Sequence, residues 1–407
     1  MNIIKSYKSS VILISSVLIG GVLGLVMGDK ASIIAPLGDI FLNLIFTILI
    51  PMVFFSISSA IANISANTKV SRVIIVTLIV FISTAVVSGT IGILGFSIFN
   101  PTRNVNSDMV MNVLGETSNV TGENIGILER IVSCITVKDF SQILSRNNLL
   151  ALVIFSVIVG VGVLKAGEDG KSVSRFLNSG AIVCNKVIEI IMYYAPIGLG
   201  SYFANVVGAL GTQILNGYFK VFILYVFIAC IYYFGFFTLY AYIAGKKDGI
   251  KSFWKNAGGP SVTAIATCSS AACIPINIEA AKKMGVPNKL ADVIMPIGVN
   301  LHKDGSVIGG IFKIMFLFGV FGRSTTGISS FITILLVGLF IGVLVGAIPI
   351  GGSIGEILIL SIFGFPPEAL AIMLVIATII DAPATLLNSA GNTVCTMIIS
   401  KYSRKLK

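Results

Sequence analysis

From its N-terminus onward the chain is a succession of apolar stretches with short polar breaks, at 10–28, 39–64, 71–99, 147–164, 176–210, 218–245, 256–281, 290–321, 329–364 and 367–400. Most reach the roughly 20 residues that an α-helix needs to cross a hydrocarbon core of about 30 Å. Stretches of that length predict helices, because in lipid every backbone polar group must be satisfied within its own segment. The first stretch follows Lys5 and Lys8 without a convincing small-residue cleavage site, so it is read as the first membrane helix rather than a secretory leader. Segment 101–146 is polar, carries charges of both signs, and is expected to be an extracellular excursion.

The basic residues of the loops decide how many stretches cross. With the N-terminus placed in the cytoplasm by Lys5 and Lys8, the positive-inside rule puts Lys69, Arg72, Lys165, Lys171 and Arg175 in cytoplasmic loops, whereas loop 211–217 has no Lys or Arg. Lys246, Lys247, Lys251 and Lys255 precede the 256–281 stretch, and Lys282, Lys283 and Lys289 follow it. A stretch with both flanks inside enters and returns. The 329–364 stretch is the mirror case, with the lone Arg323 before it and Glu368 after it, so it is expected to enter from outside. Lys401, Arg404, Lys405 and Lys407 then bring the C-terminus back to the cytoplasm. The expected fold is an all-α polytopic membrane protein with about eight transmembrane helices plus two opposed re-entrant helical hairpins. Each hairpin has a breaker at its middle, Cys268-Ser269-Ser270-Ala271-Ala272-Cys273-Ile274-Pro275 in one and Ile348-Pro349-Ile350-Gly351-Gly352-Ser353 in the other. Paired, interrupted segments of opposite orientation point to a solute site. Ordinary kinked helices are the competing reading, since Gly and Pro are frequent in membrane helices.

Composition agrees with a membrane protein. Of 407 residues 56% are hydrophobic and 11% charged, against about a quarter charged in soluble domains. The net charge of +11 lies in the loops, where it is an orientation signal and not a sign of a nucleic-acid partner. Cys134, Cys184, Cys230, Cys268, Cys273 and Cys395 are scattered and form neither a disulfide framework nor a zinc site. Gly-x-Ser-x-Gly, His-Glu-x-x-His and phosphate-loop patterns are absent, so neither an enzyme nor an organic cofactor is expected.

Polar residues inside the apolar stretches are the candidate chemistry. Asn300-Leu301-His302-Lys303-Asp304-Gly305-Ser306 interrupts the 290–321 stretch and holds the only histidine, and intramembrane ionisable residues are costly enough to be functional by default. Lys303 and Asp304 either serve that function or neutralise each other as structural glue. In the last stretch Asp381, Thr385, Asn388 and Asn392 recur at helical spacing and share one face, which must look toward protein or a cavity. Pro383 lies within that helix and frees the carbonyl near Ile379, a further cation or substrate ligand.

At these residues the chain resembles the dicarboxylate/amino acid:cation symporter family, with the glutamate-transporter fold, over essentially its whole length. Pro36-Leu37-Gly38-Asp39-Ile40-Phe41, Ile50-Pro51-Met52 and Tyr194-Ala195-Pro196-Ile197-Gly198 are similar as well. The resemblance implies a homotrimer in the plasma membrane. Residues 1–245 would be mainly scaffold, with parts of the transport domain, and 246–407 the core transport domain, moving as an elevator. It puts Ser269 and Ser270 at the first hairpin tip and Pro349, Gly351 and Gly352 at the second, which gates. Asp381 matches the aspartate that meets a substrate amino group, Asn388 the asparagine on its α-carboxylate, and Thr385 a neighbouring threonine. Asp304 and Ser306 match the aspartate and threonine of the cation motif Asn-Met-Asp-Gly-Thr. The coupling ion is expected to be Na+ or H+, handled by Asn300, His302, Lys303, Asp304, Ser306 and Asn392, with any sodium near Asp304, Asn388 and Asn392.

Three departures bear on function. Ala384 stands where members with acidic substrates have arginine, Asn392 where aspartate is common, and His302-Lys303 where the motif has Asn-Met. They imply a solute that does not rely on a side-chain carboxylate in the usual place, most simply a neutral amino acid, with a dicarboxylate held by Lys303 as the runner-up. They also imply weakened or absent sodium coupling. An anion-conducting channel is the competing class of function, but a pore needs no gates on both sides.

Overall fold

The computed structural model describes residues 3–62, 71–103, 107–114, 136–145, 148–347 and 353–404, and among them every regular element is helical. The longer of these, in chain order, are α1 (Ile3–Met27), a 3-10 turn (Gly28–Ile34), α2 (Ala35–Ala62), α3 (Ser71–Phe99), α4 (Ser107–Leu114), α5 (Leu149–Lys165), α6 (Lys171–Leu210) and α7 (Thr212–Ile231). A π-helical turn (Tyr232–Phe236) joins α7 to α8 (Phe237–Asn256), followed by α9 (Gly258–Thr267), α10 (Ile274–Lys283), α11 (Asn288–Leu301) and α12 (Asp304–Val320). The chain ends with α13 (Ile328–Ala347), α14 (Ser353–Phe363) and α15 (Leu370–Arg404).

Five described stretches are long and apolar enough to cross a membrane: Ser15–Ser59, Ile75–Phe99, Lys171–Ala209, Ile214–Asn256 and Pro367–Ser403. Ala151–Lys165 and Ile328–Gly342 are shorter apolar helices. The outer surface is itself apolar, with Leu18, Val26, Ile98, Phe176, Ile190, Val262 and Ile328 all exposed. Contiguous apolar surface on this scale would drive a soluble protein to associate, and a bilayer is the solvent that accepts it.

α1, α2, α5 and α6 pack on one another. α15 is the hub of the remaining helices, touched by α3 and by α8 through α12. α9 and α10 form a helix-break-helix pair whose turn at 268–273 begins with Cys268 in the left-handed region, φ 47°. α13 and α14 form a second pair. The residues between them, which include Pro349, Gly351 and Gly352, lie outside the described residues.

Candidate functional site

The site is organised by a break in one helix laid against the polar face of another. Between α11 and α12 the backbone is extended at His302, φ −95° and ψ 105°, and Lys303 is also non-helical, φ −139° and ψ 48°. Successive side chains on extended backbone point to opposite sides. His302 and Asp304 therefore turn inward together, and Lys303 turns the other way. This corrects the expectation that Lys303 sits beside the Asp304 carboxylate: among the described residues Asp304 pairs with His302 and not with Lys303, and the carboxylate whose charge acts on Lys303 is Asp381.

Asp304, in the first turn of α12, is fully buried and accepts from the Tyr232 hydroxyl at 2.7 Å and the Thr84 hydroxyl at 3.2 Å. His302 Nε2 lies 3.2 Å from the same carboxylate, 3.3 Å from Thr84 Oγ1 and 3.4 Å from Cys395 Sγ. Its Nδ1 lies 3.4 Å from the Asn388 carbonyl. Both ring nitrogens thus have an acceptor in reach, an arrangement that only the doubly protonated ring satisfies in full. Phe81 closes the pocket edge-on, 5.1 Å from the imidazole. Tyr232 belongs to the π turn, a feature that concentrates at functional positions, and its hydroxyl also meets Tyr240 at 3.0 Å.

Of the four polar residues on α15, Thr385, Asn388 and Asn392 are buried and Asp381 is exposed among the described residues. The Thr385 hydroxyl hydrogen-bonds the Asp381 carboxylate, with Lys303 and Lys313 as the cations that act on it. Asn388 is held at both ends: its Nδ2 donates to Ser306 Oγ at 3.0 Å, and its Oδ1 accepts from the Ser306 amide at 3.2 Å. Asn392 Nδ2 donates to the Met295 carbonyl at 3.0 Å, while its buried Oδ1 has no hydrogen-bond partner among the described residues. An unpartnered buried amide oxygen calls for an explanation, and a cation or a water would supply one. Ala384 brings only its backbone, which packs on Gly305. α15 runs as one helix through Pro383.

Ser269 and Ser270 lie half-buried in the turn between α9 and α10, with Ser269 Oγ accepting from the Ala272 amide at 3.3 Å. Both helices of that pair pack on α15, and Asn277 of α10 donates to Ser389 Oγ at 2.9 Å. Asn300 is not drawn into the cluster. It is exposed, and its side chain turns back to the Pro296 carbonyl at 3.5 Å, because the helical turn just before the break points it away from α15.

Sequence reasoning passed over Thr84, Tyr232 and Cys395, and also a buried ion pair between Lys313 of α12 and Glu356 of α14. For the pair a signal existed, since both are charges inside apolar stretches.

An all-helical membrane protein whose intramembrane charges converge at broken helices is a solute transporter by class. The chain belongs to the sodium:dicarboxylate symporter family, whose profile matches residues 10–402. It is 27% identical over 402 residues to the proton/sodium-glutamate symport protein of Bacillus caldotenax, covering 95% of this chain and 93% of that one. To the proton/glutamate-aspartate symporter of Bacillus subtilis (strain 168) it is 25% identical, over 96% and 93% of the two chains. To the C4-dicarboxylate transport protein of the same strain it is 28% identical, over 98% and 94%. These are transport proteins and not enzymes, and two of the three names specify a proton or sodium symport.

Proposed function

We propose that the chain is a secondary carrier of a small amino acid or carboxylate, working as an elevator in a plasma-membrane homotrimer with both termini cytoplasmic. In this reading eight helices span the bilayer. The α9–α10 pair is re-entrant from the cytoplasm and the α13–α14 pair from outside, and residues 246–407 form the core of the moving domain. The observation that carries the proposal is the exposed Asp381 carboxylate, on which the Lys303 charge acts, where the α11–α12 break meets the polar face of α15. Ionisable groups at membrane depth mark a solute or ion path.

Ala384 offers neither charge nor donor beside this carboxylate, so a solute side chain gains no bidentate ion pair there. A neutral amino acid is the leading solute, its ammonium at Asp381 and its carboxylate toward Asn388 and the serines of the 268–273 turn. A C4-dicarboxylate is the second reading, favoured by the Lys303 ammonium that acts on the same site.

The coupling ion is the other open choice. Two like charges 4 Å apart repel by about 4 kcal/mol at an effective dielectric of 20, so Lys303 disfavours a sodium ion near Asp381. Asp304 already accepts from Tyr232 and Thr84 and pairs with His302, which leaves little free oxygen for a cation. Uptake is then independent of sodium, coupled to protons or proceeding by exchange.

Reconstituted uptake of labelled L-alanine, L-glutamate and succinate tests this, with sodium, potassium or choline outside and with or without a pH gradient. Saturable uptake with counterflow is the expected result. Ohmic current without exchange would make the protein a channel, and steep stimulation by sodium alone would defeat the coupling proposal.

A further inference from the structure

Glu356 has no part in the site described so far, yet its partner Lys313 lies along the same helix contact. α12 meets α15 through positions spaced by four. A Cβ on Gly305 would fall 2.3 Å from the Ala384 carbonyl oxygen, and one on Gly309 would fall 2.9 Å from Ile380 Cδ1. Residues four apart share a helix face, so Lys313 continues this stripe one turn beyond Gly309. On the facing helix Asp381 directly follows Ile380, and Lys303 lies two residues before Gly305. In this register Lys303 lies before and Lys313 beyond the level of Asp381, and the charges of both act on its carboxylate. Glu356, fully buried on α14, pairs with the second of them, and its Oε2 has no hydrogen-bond partner among the described residues.

Stability alone does not call for a charge pair here, because well-packed apolar residues often replace buried pairs without loss. What the pair does do is cancel Lys313. We propose that Glu356 is a specificity-determining residue: by neutralising Lys313 it sets the net charge that a solute meets at Asp381 and keeps that site suited to a solute without net charge. The inference rests on Asp381 being the solute site. With Glu356 charged, Lys303 alone opposes Asp381 and the pair of them is balanced. With Glu356 neutral, Lys313 adds one uncompensated positive charge about a helical turn away, in surroundings that screen it poorly.

The test is binding of succinate and of L-alanine to the purified full-length protein and to E356Q, K313M and K313M/E356Q. The preference for succinate over L-alanine is expected to rise about tenfold in E356Q and fall about tenfold in K313M, and to return to within about threefold of wild type in the double variant. A purely structural pair would weaken both solutes together, and an unmoved ratio overturns the proposal. Where E356Q does not fold, K313M and the double variant decide: a ratio lowered in the first and restored in the second supports the proposal, and equal ratios overturn it. Binding of neither solute to wild type defeats the reading of the solute site itself, and this inference with it, an outcome distinct from a wild type that binds with an unmoved ratio.

Discussion

Replacing Gly305 with alanine tests the contact on which the whole site depends. The new Cβ would lie 2.3 Å from the Ala384 oxygen and 2.9 Å from both its carbonyl carbon and its Cα. That is about 1 Å short of an ordinary contact, which begins near 3.4 Å. All three atoms are backbone, so no side-chain rotation relieves the clash, and the start of α12 must lift from α15. The two Ser306–Asn388 bonds, at 3.2 and 3.0 Å, bridge this gap, and bonds stretched by about 1 Å cease to be hydrogen bonds. The Tyr225 hydroxyl, which donates to the Gly305 carbonyl at 2.7 Å, is strained with them. Overpacking costs about 1–3 kcal/mol and each lost bond about 1 kcal/mol, for a total of about 3–5 kcal/mol, offset by about 1 kcal/mol of better helix propensity. If about 3 kcal/mol falls on the site, solute affinity drops by more than about a hundredfold. The control is G162A in α5, where a Cβ meets nothing within 4 Å. Thermal unfolding and solute binding of the two variants are the assay. G305A with the wild-type unfolding temperature, and an affinity within about twofold of wild type, would refute the reasoning.

Three further outcomes are expected. The K303M/N392D variant removes a positive charge and restores a carboxylate beside the open Asn392 position, so its uptake should become sodium-stimulated; uptake as indifferent to sodium as that of wild type would show that these positions do not set the coupling. D304N places an amide donor against Tyr232, Thr84 and His302, all of which now offer donors to the carboxylate, and should lower stability by about 3 kcal/mol or more; an unchanged unfolding transition would show that the buried network contributes nothing. Single cysteines at Lys255 and Lys282 in a cysteine-free background should both label from the cytoplasmic face, and cysteines at Arg323 and Glu368 both from outside; labelling from opposite faces within either pair would make that segment a crossing helix.

The helices were readable along the chain because lipid demands long unbroken apolar stretches, and the breakers at 268–275 and 302–303 stand out against them. The polar face of α15 was readable for the same reason, since four polar side chains at helical spacing have no other explanation in an apolar helix. The direction of Lys303 was not. It depends on the non-helical backbone at His302 and Lys303, and an uninterrupted helix would have kept Lys303 beside the motif aspartate. Thr84 and Tyr232 are uncharged residues in apolar stretches, cost little there and give no signal until the fold brings them to Asp304. Lys313 and Glu356 were visible as charges inside apolar stretches, but their pairing spans 43 positions and requires the packing of α14 on α12.

The π turn at Tyr232–Phe236 acts as a phase adjustment. In an unbroken α-helix, advancing about 100° per residue, positions eight apart lie about 80° out of line. Tyr232 and Tyr240 are eight apart, yet their hydroxyls meet at 3.0 Å. The wider turn takes up one residue without lengthening the hydrogen-bonded cylinder by a full step, which rotates everything after it into alignment with what comes before. Deleting a single residue here would leave the segment helical and apolar by every compositional measure, while turning Tyr240 and the rest of α8 to the wrong compass bearing. Substitution is thus the mild change at this point of the chain and deletion the severe one, the reverse of what holds in a surface loop.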